Sequence, residues 1–414
     1  MIYTVEEFDF SYFKDLPKVP RDRGNNGSKS KRVYNDIICA FDIETTGIDE
    51  IEQSIMYVWQ FQAGEDITII GRYWSEFITM LQKIRAAISG SWLVIYVHNL
   101  SYEFQFLSGI YDFTEKEVFC MDSRKILKCD MYGSFEFRCS YLQTNMSLSE
   151  FTKRYNVKHQ KISGAEFDYS KKRYPWTRLT GLEIDYIVHD VLGLVEALKA
   201  EMALDGDNLY TIPLTSTGYV RREAKREMNT YSRLALEKQL PDEHLFKLLH
   251  DAFRGGNTHA NRYYTGLICD NVTGRDIVSS YPSQQVNRYF PMGSWIREDP
   301  EDLDYIIKLI EVRRHCCLMV LTFRNIRLRN KLWGAPYIPL AKCRKPFNFV
   351  NDNGRVLNAD YLEITLTDLD FKIILSEYEF DDCEILEFWH TRSGKLPKQL
   401  TDLTLKWFHG KTAL

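Results

Sequence analysis

The nine cysteines of this 414-residue chain form no C-x-x-C pair and keep no histidine-rich company, so neither a zinc finger nor a redox motif is encoded. Long apolar runs are also missing. The longest, such as 92–97, extend about six residues, far short of the ~20 that span a bilayer. The first ten residues carry Glu6, Glu7 and Asp9 where a secretory leader would be basic and then apolar. Charge of one sign is lacking too: 53 basic and 57 acidic residues leave a net −4, so any site for a polyanion must come from local clustering. With only 12 prolines and 22 glycines, collagen-like and low-complexity chains are excluded. What is present, 44% hydrophobic, 27% charged and 14% aromatic residues, belongs to a folded globular protein. At roughly 150 residues per domain the length suggests two or three domains. The expectation is a reduced intracellular protein with no membrane contact.

The first break in pattern is 21–32, RDRGNNGSKSKR, where five basic residues face one acid and Gly, Asn and Ser replace the hydrophobic residues. Residues 1–32 therefore read as a lead-in. Strand-like runs follow at 33–41, 55–61, 66–73 and 92–97, and helical spacing at 77–88 and 182–198. Strands alternating with helices predict an α/β layer domain over 33–205. The turn-rich stretch 205–217 predicts a linker, and 206–256 continues it with helices at 218–228 and 241–253. A β-like stretch at 266–278 opens a segment 257–300. Short strands and a helix alternate over 301–414, and no internal repeat is present.

Three elements in the first domain carry chemistry. Asp42 and Glu44, in FDIETTG, sit two apart at the end of an apolar run and so leave a strand on one face. Their repulsion is relieved if a divalent cation bridges them, and carboxylates are what Mg²⁺ and Mn²⁺ prefer. A strand-end pair pointing into water is the plainer alternative. Tyr186 and Asp190, in YIVHD, share a helix face, where a phenol can orient a water beside a metal-bound carboxylate; an ordinary amphipathic helix is the alternative. Between them lies HNLSYEF, offering Asn99, Tyr102 and the acid Glu103.

The order D-x-E, N-x-x-Y-E, Y-x-x-x-D resembles the proofreading 3′–5′ exonuclease domain of family B DNA polymerases, an RNase H-like fold. In the protein-primed members, from bacteriophages and linear plasmids, the middle motif typically reads H-N-L-x-F/Y-D, so Glu103 stands where the family has Asp. The resemblance implies Asp42, Glu44 and Asp190 as ligands of two Mg²⁺ or Mn²⁺ ions, with Glu103 joining them and Tyr186 positioning water. It implies single-stranded DNA held by Asn99 and Tyr102, by Ser140 and Tyr141 in RCSYLQT, and by Lys161 in HQKISG beside the scissile phosphate.

Further along, Phe253-Arg254-Gly255-Gly256 resembles the family's YxGG element, which implies DNA contacts for Arg254, Gly255 and Gly256; a helix C-cap is the plainer reading. Asp276 with Ser279, Ser280, Tyr281 and Pro282 resembles DxxSLYP, the first polymerase motif. There the Asp would bind catalytic metal, and Ser279, Ser280 and Tyr281 would meet the incoming nucleotide. A strand end followed by a tight turn would present these groups. The fold class is thus α/β, an RNase H-like exonuclease domain followed by an incomplete family B palm with an α+β insertion.

Neither K-x-x-x-N-S-x-Y-G nor D-T-D occurs in the sequence. The nearest imitation, Thr367-Asp368-Leu369-Asp370, reads as an N-cap and an acidic first turn. A two-metal polymerase site then has too few ligands. The expectation is the N-terminal part of a protein-primed polymerase, ending before the later motifs. Its partners would be DNA, deoxynucleotides if the palm is completed, a terminal protein, and a separate C-terminal fragment. It would act inside a bacterial host if phage-encoded. An autonomous exonuclease with a vestigial palm, or a non-catalytic DNA or terminal-protein binding subunit, are the alternatives.

Overall fold

The computed structural model describes residues 1–20, 31–48, 52–122, 124–162, 171–260, 263–330 and 334–412. Most of the expected basic lead-in, 21–30, lies outside them. The chain divides into two compact units, Met1–Arg222 and Glu223–Leu414.

The first unit is built on eight strands: β1 (Ile2–Tyr3), β2 (Cys39–Ile48), β3 (Gln53–Ala63), β4 (Ile67–Gly71), β5 (Leu93–Val97), β6 (Val118–Cys120), β7 (Ile126–Met131) and β8 (Phe135–Cys139). They lie in the order β1-β4-β3-β2-β5-β8-β7-β6. β2, β5 and β8 run parallel, while β3 and β7 are antiparallel to their neighbours. The helices are α1 (Trp74–Ile88), α2 (Leu100–Leu107), α3 (Ser140–Thr144), α4 (Leu148–Arg154) and α5 (Gly181–Asp205), and α6 (Ser216–Glu227) carries the chain past the boundary at Arg222. Period-two alternation along β2 sets the layers. Cys39, Phe41 and Ile43 join the core under α1, with Phe77, Met80, Leu81 and Ile84. Ala40 faces the other way, into the core that Val191, Leu194 and Leu198 of α5 close. Asp42 and Glu44 share the parity of Ala40 and so lie on the α5 side.

Regular structure in β2 starts at Cys39 and runs to Ile48, later than the predicted 33–41. Residues 33–36 turn instead toward the start of β5, where Asn35 N–H donates to the Trp92 carbonyl at 2.9 Å. The two acids are therefore inside the strand, not at its end. The predicted linker is also no linker in space. Leu209 and Ile212 are buried in the α5-side core, and Arg138 Nη1 donates to the Leu209 carbonyl at 2.8 Å. A turn-rich composition signals irregular backbone, not detachment.

A buried ionic network ties these pieces together. Glu136 on β8 accepts from Arg138 Nε at 2.7 Å and from the Tyr34 hydroxyl at 2.8 Å, and it pairs with Arg32. Tyr210 in turn donates to the Arg32 carbonyl at 2.8 Å. Burial alone would raise the Glu136 pKa, but Arg138, Lys128 and Arg32 outweigh it and hold it at about 2.

The second unit is an antiparallel α+β assembly. Its strands are β9 (Phe290–Pro291), β10 (Ile296–Glu298), β11 (His315–Leu328), β12 (Cys343–Asp352), β13 (Arg355–Thr367), β14 (Tyr378–Glu379) and β15 (Asp382–Gly394). The sheet order is β10-β15-β11-β13-β12, with β14 on β11 and β9 on β15. Its helices are α7 (Thr230–Glu237), α8 (Glu243–Ala252), α9 (Ser280–Asn287), α10 (Leu303–Glu311), α11 (Asp368–Glu377) and α12 (Lys398–Thr412). Phe323, Leu362, Ile364 and Phe371 fill one face, and Leu245, Leu248, Leu318 and Val320 the other. Thr367 caps α11 in a reciprocal box with Asp370, as the sequence pattern implied.

The predicted strand over 266–278 does not form: the described residues 263–279 hold no strand, and Ile268 is 98% exposed. β-propensity expresses packing against neighbours, and no strand among the described residues pairs with this segment. Among the described residues no helix is long and apolar enough to cross a membrane.

Replacing Glu136 by Gln leaves the buried Arg138 guanidinium without its counter-ion and the half-buried Arg32 with Asp130 alone. The expected loss is roughly 3–5 kcal/mol of unfolding free energy, read from urea melts. Because the folded pKa is depressed, the Glu136 contribution is complete above its ordinary 4.5 and disappears as pH falls toward about 2. The variant's melting point should therefore fall less steeply with acid in that window.

Candidate metal centre

β2 delivers Asp42 and Glu44 to the face that α5 covers, and α5 answers with Tyr186 and Asp190, one turn apart on its buried side. A carboxylate oxygen from each of Asp42, Glu44 and Asp190 lies within 4.8 Å of the others, which makes the one such acidic trio among the described residues. Glu103 reaches the same place from the first turn of α2, where an acid also suits the helix dipole. Its carboxyl is buried and hydrogen-bonds to Asp42. It thus touches the trio through Asp42 and is not one of the three.

The electrostatics are those of crowded like charges. Burial, and then the charge of Asp190, push the Asp42 pKa to about 7. Glu44 is raised by burial and next by Asp42, and Glu103 by the same two causes. Asp190 is raised by burial despite Lys161, whose ammonium donates to its Oδ2 at 2.6 Å. Burial works against the charge on Lys161, yet the Asp190 carboxylate outweighs it and keeps Lys161 a firm cation. That ammonium also stands 5.2 Å from the centre of the Tyr186 ring.

The donor set fits a hard divalent cation. Every candidate ligand is a carboxylate oxygen, as Mg²⁺ and Mn²⁺ favour. Oδ1 of Asp190 and Oε2 of Glu103 are buried without a hydrogen-bond partner, a costly state that a bound cation would relieve.

Two residues that sequence reasoning missed hold the trio in place. Gln60, fully buried on β3 directly opposite Asp42, donates Nε2 to Asp42 Oδ2 at 3.0 Å. Its signal was the alternation Trp59-Gln60-Phe61-Gln62, which puts polar groups on one face of a buried strand. Gly193 lies on α5, three residues beyond Asp190. A Cβ there would stand 2.1 Å from the His159 carbonyl oxygen. This gap lets 159–161 lie against α5, where Glu196 accepts from the His159 N–H at 3.0 Å and His189 Nδ1 meets the Gln160 carbonyl at 2.9 Å. A glycine inside a helical pattern is the readable trace of such an approach.

The remaining first-unit residues surround the trio unevenly. Asn99 is exposed, in the left-handed region (φ 75°) at the start of α2. Tyr102 is partly exposed and bonds Thr45 Oγ1 at 2.6 Å, and Tyr141 stands edge-on to His98. Ser140 is fully buried, its hydroxyl occupied by His98 Nδ1 at 3.0 Å and the Val97 carbonyl at 3.3 Å.

In the second unit, Arg254 turns inward, toward Asp370 at 3.5 Å and the Tyr337 ring. Gly255 and Gly256 are exposed, and the C-cap of α8 is Phe253, so the glycines do not serve as the cap. Asp276 is exposed on irregular backbone, correcting the predicted strand end, and Tyr281 is 73% exposed. Ser279, in the left-handed region, precedes α9, which begins at Ser280. No second carboxylate trio forms around Asp276 among the described residues.

No protein-family model matches the chain. It is 25% identical over 253 residues to a DNA polymerase of Bacillus phage B103, a match that covers 60% of this chain and 40% of that protein. The fold is similar to that of part of Phi29 DNA polymerase. The structure of that enzyme complexed with single-stranded DNA aligns with a TM-score of 0.63 at 16% identity, over 92% of this chain and 64% of the other. Its ternary complex with primer-template DNA and incoming nucleotide gives 0.59 at 16%, over 90% and 63%. The chain spans less than two thirds of the length of each. The resemblance to protein-primed phage polymerases drawn from the motifs is borne out.

Gly193→Ala should force 159–161 off α5 and cost about 1–3 kcal/mol, the usual range for overpacking, visible as a lower urea midpoint. The raised acids make a second expectation. In chelator, the Asp42 contribution is greatest below its ordinary 3.8 and is lost as pH rises through about 7. The metal-free melting point should therefore fall between about pH 4 and 7, and Asp42→Asn should flatten that fall.

Proposed function

We propose that the first unit is an RNase H-like 3′–5′ exonuclease that shortens single-stranded DNA, and that the chain is the N-terminal portion of a protein-primed family B DNA polymerase. The observation that carries this reading is the convergence of Asp42, Glu44 and Asp190, with Lys161 and Glu103 against them, in the motif order of that family. The similar Phi29 enzyme has been solved with single-stranded DNA.

The reaction would add water to the terminal phosphodiester, break the bond from phosphorus to the 3′ oxygen of the preceding nucleotide, and release a nucleoside 5′-monophosphate. Mg²⁺ or Mn²⁺, two per site, would supply an acidified water and charge neutralisation at the leaving oxygen. Asp42, Glu44 and Asp190 would hold them. Tyr186 would orient the water, and Lys161 would offset phosphate charge while fixing Asp190. Tyr102 and Tyr141 present faces on which unpaired bases stack, worth about 1–3 kcal/mol per base. Asn99 hydrogen-bonds the strand, while Ser140 supports it by positioning His98.

In the second unit, Asp276 and Ser279 to Tyr281 would form part of a polymerase site, and Arg254, Gly255 and Gly256 part of a DNA path. Deoxynucleotides and a terminal protein would be partners of the whole polymerase. Because the sequence contains no D-T-D pair, these 414 residues are not expected to extend a primer. A DNA-binding role without cleavage is the second reading; it gains from Glu103, whose longer arm bonds Asp42 instead of joining the trio.

Incubated with Mg²⁺ or Mn²⁺ and a 5′-labelled single strand, the protein should yield a ladder shortened from the 3′ end. The Asp42→Ala, Glu44→Ala double variant should lose more than the ~10–100-fold that follows removal of a partner of a metal ligand. A variant as active as the parent would overturn the assignment, and binding without any ladder would favour the second reading.

A further inference from the structure

A pocket of about 250 Å³ opens beside the carboxylate trio, and Glu44, Thr45, Tyr57, Tyr102, Lys171 and Lys172 line it. Its shape follows from a defect in the sheet. Glu44 pairs with Val58 and Thr45 with Met56, so Tyr57 is an extra residue that the ladder skips. Such a bulge re-aims a side chain, and here Tyr57 joins Val58 in the cluster around Tyr186 instead of alternating with it. The opposite wall is basic. Arg173, which is buried, gives its Nε to Glu183 Oε1 at 2.7 Å, with Lys171 at 3.6 Å from the same oxygen. Lys172 Nζ reaches over the end of β2 to the Gly47 carbonyl at 2.6 Å. Three cations thus stand against Glu183 and Glu44, so the pocket keeps a net positive charge at the edge of an otherwise acidic site.

That charge has a chemical use. A polyanionic strand approaching three or four carboxylates is repelled, and Lys161 is already engaged by Asp190. We propose that this pocket, floored by Tyr57 and walled by Lys171 and Lys172, is a subsite for the strand phosphate adjoining the scissile one. The inference rests on the exonuclease reading and extends it to the substrate path. Tyr57 closes the floor as a buried residue, and the two lysines give point charges on flexible stems suited to a phosphate. Both lysines are exposed, so their removal leaves the core intact.

The test is binding of a short oligothymidylate in chelator, where no cleavage intervenes, across a salt series. Each neutralised phosphate of a single strand contributes about 0.7 to the slope of log affinity against log salt. The Lys171→Ala, Lys172→Ala double variant should lose about 0.7 of that slope, one phosphate's share. With Mg²⁺ added it should raise KM with little change in kcat. A control with the same charge change, Lys14→Ala with Lys83→Ala, pairs a lysine of the N-terminal segment with one of α1, whose ammonium meets the Val5 carbonyl. It should keep the parent slope. An unchanged slope in the lysine pair, or an equal loss in the control, overturns the subsite. Thymidine monophosphate separates strand from product: weaker inhibition by it with strand binding intact would overturn the strand assignment. A parent that binds with the expected slope but cuts nothing would remove the exonuclease reading and leave the subsite standing.

Discussion

Mutual repulsion among buried carboxylates is the constraint around which the first unit is arranged. Asp42, Glu44 and Asp190 approach within 4.8 Å, and Glu103 presses on Asp42 from a fourth direction. Left to itself such a group would spread into water. The central position of β2, the capped length of α5 and the short helix α2 prevent that, and they do so with ordinary apolar packing on both sides of the sheet. Among the described residues, the ammonium of Lys161 and the amide of Gln60 bond the trio directly, each to a single carboxylate oxygen. Neither neutralises the group, so the surplus negative charge is left for a cation.

The supporting contacts have a common logic. Gly193 removes a side chain so that the segment bearing Lys161 can lie on α5, and the bulge at Tyr57 turns an aromatic ring to the side where Glu44 emerges. Glu183 closes the cap of α5 and also anchors Arg173, so the start of the helix that carries Asp190 is tied to the basic wall beside Glu44. The Glu136 network does the same at the other end of the sheet, fastening β8 to Tyr34 and, through Arg138, to the segment after α5. In the second unit the polymerase-like residues have no comparable support. Asp276 and Tyr281 are exposed, whereas Arg254 is drawn into the sheet side by Asp370 and Tyr337.

Much of this was legible from residue order. The spacing of Asp42 and Glu44 placed them on one strand face, that of Tyr186 and Asp190 on one helix face, and Thr367 to Asp370 read as a cap because the side-chain chemistry is local. The limits appeared where the outcome depends on distant partners. Residues 266–278 have strand composition and form no strand, since a ladder needs a neighbour. The stretch 205–217 has linker composition and is packed, since burial of Leu209 and Ile212 depends on a hollow that other elements create.

The sequence by itself determined the strand and helix periods, the inventory of acids in their order, and the resemblance those motifs carry, because each depends on residues a few positions apart. Tertiary structure alone decided that Gln60 faces Asp42, that Glu103 bonds Asp42 instead of completing the trio, and that Lys171 and Lys172 flank Glu44. Those pairs are separated by 18, 61 and more than 120 positions. Their contacts arise from sheet register, a bulge and helix packing, which no local spacing encodes.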